Sequence, residues 1–318
     1  MDNNMEVSVC ITAYKQKKYL RQCLDTIFSQ VFTRNFEVIV CDDCSNDGTE
    51  EILIEYKNKY KDKFIYRINK KNLGLSKNIY QCRVLARGKY ICGAEADDWW
   101  CDDYRIQKQY DFLESHPNCS AVACNYFHGS ECGNVLRKKV MKNYEINKYY
   151  SLKNYKCYGM IIHGNTLMYR NVLPYTSEKY KKMCLAESTM DDVINRVLLY
   201  DAGKIFVLKD VMHVHRDGSQ NEFSFSAQSC DKSIEHTYMY YRIVDNVTNY
   251  FDGKYNLISL KANRLAYMMM LYHFYKNKFN ISKSEYKKLL KYSGNKIHML
   301  AIKKHLRNIA IKIIGKIL

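Results

Sequence analysis

Between Val7 and Ile68 short apolar runs alternate with stretches of helical periodicity, and this alternation constrains the fold more than any other feature of the chain. Val7-Ser8-Val9-Cys10-Ile11 reads as a buried strand that breaks into a turn at Thr12-Ala13-Tyr14-Lys15. Leu20, Cys23, Leu24, Ile27 and Phe28 then recur with the spacing of a helix that lays one face on a sheet. A second strand, Phe36-Glu37-Val38-Ile39-Val40-Cys41, runs into a polar turn from Asp42 to Thr49. In that turn Asp47 or Thr49 is available to cap a helix opened by Glu50 and Glu51. The helix extends to about Tyr60, and Phe64-Ile65-Tyr66-Arg67-Ile68 is a third strand. Strands joined by helices pair in parallel, so the expected fold is α/β, with a mostly parallel sheet flanked by helices. Ligands of such sheets bind beyond the carboxyl ends of the strands.

A further apolar strand, Tyr90-Ile91-Cys92-Gly93, leads into Glu95-Ala96-Asp97-Asp98-Trp99-Trp100, with three carboxylates in four positions. Carboxylates so close repel, and a folded chain holds them with a hard divalent cation, a basic partner or open water. On residue type alone, a solvated turn and a cation site both stand. Cys41-Asp42-Asp43-Cys44 is nominally a redox pair or half a zinc site, but no second such pair or suitably spaced Cys/His pair follows.

A length of 318 residues fits one large domain or a domain with an appendage. The longest apolar region, around Leu265 to Tyr272, falls short of the roughly 20 residues that a membrane span needs. The first residues, Met1-Asp2-Asn3-Asn4, do not resemble a secretory signal, and the 13 cysteines form no disulfide-like framework. A cytoplasmic location is therefore expected. The net charge of +17 is uneven: residues 253–318 hold 15 Lys and Arg against the single acid Glu285, whereas the first 252 residues hold 35 bases and 32 acids. The charge thus divides a near-neutral 1–252 from a strongly basic tail; by domains the expectation is a body over 1–220 and a basic helical region over 221–318 that meets something anionic or another copy of the chain.

Within that region Ile297, Leu300, Ala301, Leu306, Ile309, Ala310, Ile313, Ile314 and Leu318 read as one apolar stripe, with Lys303, Lys304, Arg307, Lys312 and Lys316 elsewhere. Such a helix, over 296–318, either lies in an anionic membrane interface or packs on the body with its basic face in water. Nucleic acid is the rival anionic partner, but the body is nearly neutral and carries no recognised nucleic-acid motif, so none is expected to bind.

Four stretches resemble the nucleotide-sugar-binding half of glycosyltransferase family 2, whose members have the GT-A fold. They are Ser8-Val9-Cys10-Ile11-Thr12-Ala13-Tyr14, Asp42-Asp43-Cys44-Ser45-Asn46-Asp47-Gly48-Thr49, Asn72-Leu73-Gly74-Leu75-Ser76-Lys77-Asn78, and Gly88-Lys89-Tyr90-Ile91 leading to the acidic run. They occur in family order and at family spacing. The chain departs from the family at Cys44, where a small residue is common, and at Glu95, where Asp is common; Glu is a variant found among polysaccharide-building members. The resemblance places the donor half at 1–103 and the acceptor half at 104–220, where matching thins.

The resemblance implies an inverting transfer of a hexosyl or N-acetylhexosaminyl group from a UDP-sugar, with Mn²⁺ or Mg²⁺, to a bacterial surface polysaccharide, capsule or lipid-linked glycan. It assigns Asp97, Asp98, Glu95 and His215 to the metal. Thr12, Ala13, Tyr14, Asp42, Asp43, Asn72, Gly74, Lys77, Asn78, Glu95, Ala96 and Asp97 are assigned to the nucleotide sugar, Asp43 to the uracil. Met190-Asp191-Asp192-Val193 resembles the family's paired acids, with Asp192 the general base and Asp191 the runner-up; an acid pair favoured by the helix dipole is the plain alternative. In Val211-Met212-His213-Val214-His215-Arg216-Asp217-Gly218-Ser219 the two histidines share one face of a strand. His163-Gly164-Asn165-Thr166 either edges the acceptor pocket or is a core turn. An inactive transferase-like binding subunit is the remaining alternative, opposed by the presence of every acid.

Overall fold

The computed structural model describes residues 5–130, 132–159, 162–187, 191–216, 234–274 and 281–317, with the side chains of 137–139, 191 and 308–317 outside the description. The chain divides into two compact units, Met1–Leu152 with Ile162–Phe223, and Lys153–Ile161 with Ser224–Leu318.

The first unit is built on β1 (Val7–Ala13), α1 (Lys17–Phe28), β2 (Phe36–Asp42), α2 (Thr49–Tyr60), β3 (Phe64–Ile68), α3 (Leu75–Val84) and β4 (Tyr90–Glu95). β1 pairs in parallel with both β2 and β4, and β2 in parallel with β3. All residues of β1 and β2 are buried, as expected of parallel strands covered on both faces. Val7, Val9 and Ile11 join Leu20, Leu24 and Ile27 of α1 in one core, while Cys10, on the opposite face, meets Cys82 of α3. Gly88, at the entry to β4, runs against β1: a Cβ there would stand 2.5 Å from the Ser8 nitrogen.

The sequence reading differs at several points. Thr12 and Ala13 belong to β1 rather than to the turn, and Glu95 ends β4. Trp99–Trp100 form a short strand, β5. The cap of α2 is Gly48, with φ 89°; Asp47 does the capping chemistry from one residue further out, accepting from the Thr49 nitrogen at 3.0 Å.

After α4 (Arg105–Ser115) the strands are β6 (Cys119–Gly129), β7 (Val135–Lys139), β8 (Lys148–Tyr150), β9 (Leu167–Arg170) and β10 (Lys204–Arg216). The sheet order is β3-β2-β1-β4-β9-β6-β10-β5, with β7 on β6 and β8 on β10. Parallel pairing rules the first half and returns between β6 and β10; β9, β7, β8 and β5 pair antiparallel. The result is a curled, mixed α/β sheet flanked by helices, as the sequence leads one to expect. Helices α5 (Leu152–Tyr158), α6 (Glu178–Cys184) and α7 (Asp191–Ala202) fall between the later strands in chain order, α5 beyond its first residue belonging to the second unit.

The second unit is helical among its described residues: α8 (Ile234–Tyr250), α9 (Ile258–Phe274) and α10 (Lys283–Ile317). The apolar run at 265–272 lies in α9 and fills this unit's core through Leu265, Ala266, Met268, Met269 and Leu271. No helix among the described residues is long and apolar enough to cross a membrane. Gly294, with φ 72°, interrupts α10. The expected single stripe is also divided: Ile297, Leu300 and Ala301 face the helical core, whereas Leu306 is exposed. Leu306 follows Ala301 by five residues, almost half a turn out of phase.

Candidate active site

The strand ends of the first unit bring the two acidic stretches together. In register, Ala13 lies beside Asp42 and Thr12 beside Glu95, so the acids that end β2 and those that end β4 flank the end of β1. The Asp43 nitrogen donates to the Ala13 carbonyl at 2.9 Å, and the Ala96 nitrogen to the Thr12 carbonyl at 3.2 Å.

On the β2 side the carboxylate of Asp43 organises the neighbouring turn. It accepts from Asn69 Nδ2 at 2.9 Å, the Leu73 nitrogen at 2.8 Å and the Gly74 nitrogen at 2.9 Å. Asn78 is buried and structural here, its Nδ2 donating to the Cys41 carbonyl and its Oδ1 accepting from Asn69. Asn72 and Lys77 are exposed, Asn72 accepting from the Gly74 nitrogen. Asp42 turns inward to Ser45, and burial raises its pKa. Tyr14 is half-buried at the end of β1. Cys41 and Cys44 are free thiols.

On the β4 side Glu95, Asp97 and Asp98 bring one carboxylate oxygen each within 4.8 Å of the others, and Asp98, His213 and His215 form a second group of the same compactness. Asp98 is enclosed by donors: His213 Nε2 at 3.1 Å, His215 Nδ1 at 3.1 Å, the Arg216 nitrogen at 2.9 Å and Asn165 Nδ2 at 3.1 Å. β10 makes this possible by pairing antiparallel with β5, which sets His213 opposite Trp100, directly after the acids. Arg105 Nη1, which can only donate, lies 3.3 Å from His213 Nδ1, so the neutral His213 carries its proton on Nε2, toward Asp98.

Asp97 is different. Its Oδ1 is buried with no hydrogen-bond partner, although Arg216 Nε donates to its backbone carbonyl at 2.7 Å. Burial and the charge of Asp98 push the Asp97 carboxyl up to about 7, and burial with the charges of Asp97 and Asp98 pushes Glu95 up to about 8. Burial also opposes the charge of Asp98, but His215 and His213 hold its pKa well below the usual range. Burial lowers His213. His215 is raised to about 9: burial opposes its charge, but Asp98 prevails. Crowded oxygen ligands, one of them orphaned and buried, beside imidazole nitrogens fit a hard or borderline divalent cation such as Mg²⁺ or Mn²⁺.

Arg216, Arg105 and His128 had no role in the sequence reading, and His163 only that of a pocket edge or a core turn. Arg216 stacks over Tyr19 and Trp99 and extends to the Ser130 carbonyl and Gln22 Oε1. Arg105, fully buried, donates to the Asn165 carbonyl at 2.6 Å. His128, opposite His215 in register, and His163 both have a buried Nδ1 without a partner. Burial and the neighbouring histidines push His163 down to about 3. The sequence signals for this group were the alternation of His213 and His215 and the run His163-Gly164-Asn165-Thr166. Asp192 stands in the first turn of α7, against Gly164. Met190 and residues 217–219 lie outside the described residues, as does the side chain of Asp191.

A parallel first half, a mixed second half and an acid and histidine cluster at the strand ends define a GT-A transferase-like protein. The sequence model of Glycosyl transferase family 2 matches residues 8–173, more than half of the chain, and the chain belongs to that family. It is 26% identical over 243 residues to putative glycosyltransferase EpsE of Bacillus subtilis, covering 76% of this chain and 83% of that protein. It is 33% identical over 110 residues to an Escherichia coli protein, the UDP-Glc:alpha-D-GlcNAc-diphosphoundecaprenol beta-1,3-glucosyltransferase WfaP, covering 34% of this chain and 41% of that one. The crystal structure of S. aureus TarS 1-349 in complex with UDP superimposes with a TM-score of 0.62 at 18% identity, covering 90% of this chain and 78% of that one. The chain spans about a third, 32%, of the length of the curated relatives that it matches at 34% identity.

Proposed function

We propose that this protein is an inverting, metal-dependent glycosyltransferase that moves a sugar from a UDP donor to a hydroxyl of a cell-surface polysaccharide or lipid-linked glycan. The observation that carries the reading is the buried, unpartnered Oδ1 of Asp97 in the carboxylate group with Glu95 and Asp98, the last of which also bonds to His215. UDP is favoured by the TarS complex, and a lipid-linked acceptor by the name of WfaP. The enzyme would work in the cytoplasm, at the inner face of a membrane where such acceptors lie.

In this reading residues 1–103 hold the donor and 104–220 the acceptor. Asp97, Glu95, Asp98 and His215 hold Mn²⁺ or Mg²⁺, which when bound offsets the negative charge that develops on the diphosphate leaving group. Thr12, Ala13 and Tyr14 line the base, and the turn organised by Asp43 closes its other side. Asp192 takes the proton of the acceptor hydroxyl as its oxygen bonds to the anomeric carbon. The bond from that carbon to the diphosphate breaks from the opposite face and its electron pair leaves with UDP. His213, fixed by Arg105, keeps Asp98 charged and oriented.

The test is UDP release from a panel of UDP-sugars with Mn²⁺ and a glycan acceptor, repeated with Asp97→Ala and Asp192→Ala. Both variants should lose transfer by at least about a hundredfold. Unchanged release from the preferred donor in both would overturn the assignments.

A further inference from the structure

The outer face of α10 beyond its break at Gly294 carries a row of exposed aliphatic side chains. Met299 is 62% exposed, Leu306 59% and Ile302 38%, and their spacing of three and four residues sets them on one side of the helix. Lys296 and Lys303 are exposed on the same side. Ala301 and His305 are buried on the other, and Ile297 and Leu300 lean on the helical core, so the helix already has its internal contact. The three outward aliphatic side chains are a second apolar face, which that core does not need.

Charge decides what covers it. From Lys283 to the end the chain carries ten bases and one acid, Glu285. That acid is spent locally: Glu285 Oε2 accepts from the Ser282 nitrogen at 3.0 Å while the Glu285 nitrogen donates to Ser282 Oγ at 3.2 Å, a reciprocal cap at the start of α10. A second copy would bring like charge against like. A polyphosphate backbone would match the lysines but offers nothing to Met299, Ile302 and Leu306. An anionic lipid surface satisfies both, taking the aliphatic chains below the headgroups while the lysine stems extend to the phosphates.

We propose that the 295–307 face of α10 docks on an anionic lipid bilayer, with Met299, Ile302 and Leu306 inserted and Lys296 and Lys303 on the headgroups. This deepens the peripheral placement given above by naming the surface, and it stands or falls without the transfer chemistry. The test is cosedimentation of the full chain, without nucleotide sugar, with vesicles of phosphatidylcholine alone or with one third phosphatidylglycerol. Binding should require phosphatidylglycerol and weaken from low to high NaCl. Met299→Gln with Leu306→Gln should lower partition at least about tenfold, and Lys296→Glu with Lys303→Glu by a similar factor, each base near such a surface being worth about fivefold. Circular dichroism of each variant checks that the helices remain. No binding to the anionic vesicles, or binding that the Met299/Leu306 pair does not change, would overturn the proposal. So would a self-association or a retention on duplex DNA that the same apolar pair abolishes. UDP release by the variants, measured with a soluble acceptor, reports separately on the transferase reading.

Discussion

Gly164 and Asp192 are in contact: a Cβ on Gly164 would stand 2.7 Å from Asp192 Oδ1. The two come from the turn before β9 and from the start of α7, and Asn165, the next residue, donates to Asp98. One short turn thus touches both the acid proposed as the base and the acid held by the histidines. Gly164→Ala should turn the Asp192 carboxylate aside while leaving donor and metal binding intact. The expected outcome is a fall in kcat of about tenfold to a hundredfold with the KM for the UDP-sugar and the melting temperature nearly unchanged. A parallel rise in donor KM would place Gly164 elsewhere in the reaction.

Asp43 supports a loop as well as facing the proposed base pocket. Its three donors include the nitrogens of Leu73 and Gly74, and an amide in its place has one accepting oxygen instead of two. Asp43→Asn should therefore cost about 1–3 kcal/mol of stability in urea unfolding and weaken UDP binding by calorimetry. Loss of UDP affinity at full stability would mean that the carboxylate meets the nucleotide directly and that the loop does not depend on it.

Arg105 and Asp98 show which parts of the site the sequence could disclose. The strands β1, β2, β3 and β4 were legible because each is a local apolar run, and the acids at their ends follow from chain order. His213 and His215 were legible as a pair because alternation is a local property too. Arg105 and His128 were not, and Asn165 only as part of a polar turn, because they meet these histidines and Asp98 across separations of some 60 to 110 residues, through side-chain contacts and a parallel β6–β10 pairing that no local pattern encodes. Trp99–Trp100 escapes a reading of the sequence because a strand of two residues has no periodicity, only a partner, β10. In α10 the limit is one of phase and is local: Leu306 stands five residues after Ala301, so no single helical stripe holds both.

His305 gives the helical unit a dependence on pH. Its side chain is buried, its Nδ1 has no partner, and its ring lies 5.8 Å from that of His273 on α9. Burial and then the charge of His273 lower its pKa, so the unfolded chain binds the proton more readily than the folded one. Stability from this group is therefore full above the unfolded pKa of about 6.5 and is lost as pH falls toward the folded value. The melting temperature should drop between pH 8 and pH 5, and His305→Gln should reduce that drop. An unchanged slope in the variant would assign the dependence to other groups.

Asp97 and Asp98 are adjacent acids with opposite demands on the fold, and their amides should separate holding a cation from holding the protein. Asp98 satisfies four donors, two of them imidazoles, so Asp98→Asn leaves buried hydrogen-bonding groups unpaired and should cost about 2–4 kcal/mol. Asp97 Oδ1 satisfies none, and its carboxyl is already pushed up to about 7 by burial and by Asp98. Asp97→Asn removes that repulsion without breaking a bond to Oδ1, so the metal-free protein should melt within about 1 kcal/mol of the parent, or slightly above it. Mn²⁺ binding followed by electron paramagnetic resonance should instead fall at least tenfold in Asp97→Asn, and chelation should abolish UDP release from the parent. If Asp97→Asn proved as destabilising as Asp98→Asn while Mn²⁺ binding persisted, the orphaned oxygen would have an internal partner and the cation site would lie elsewhere.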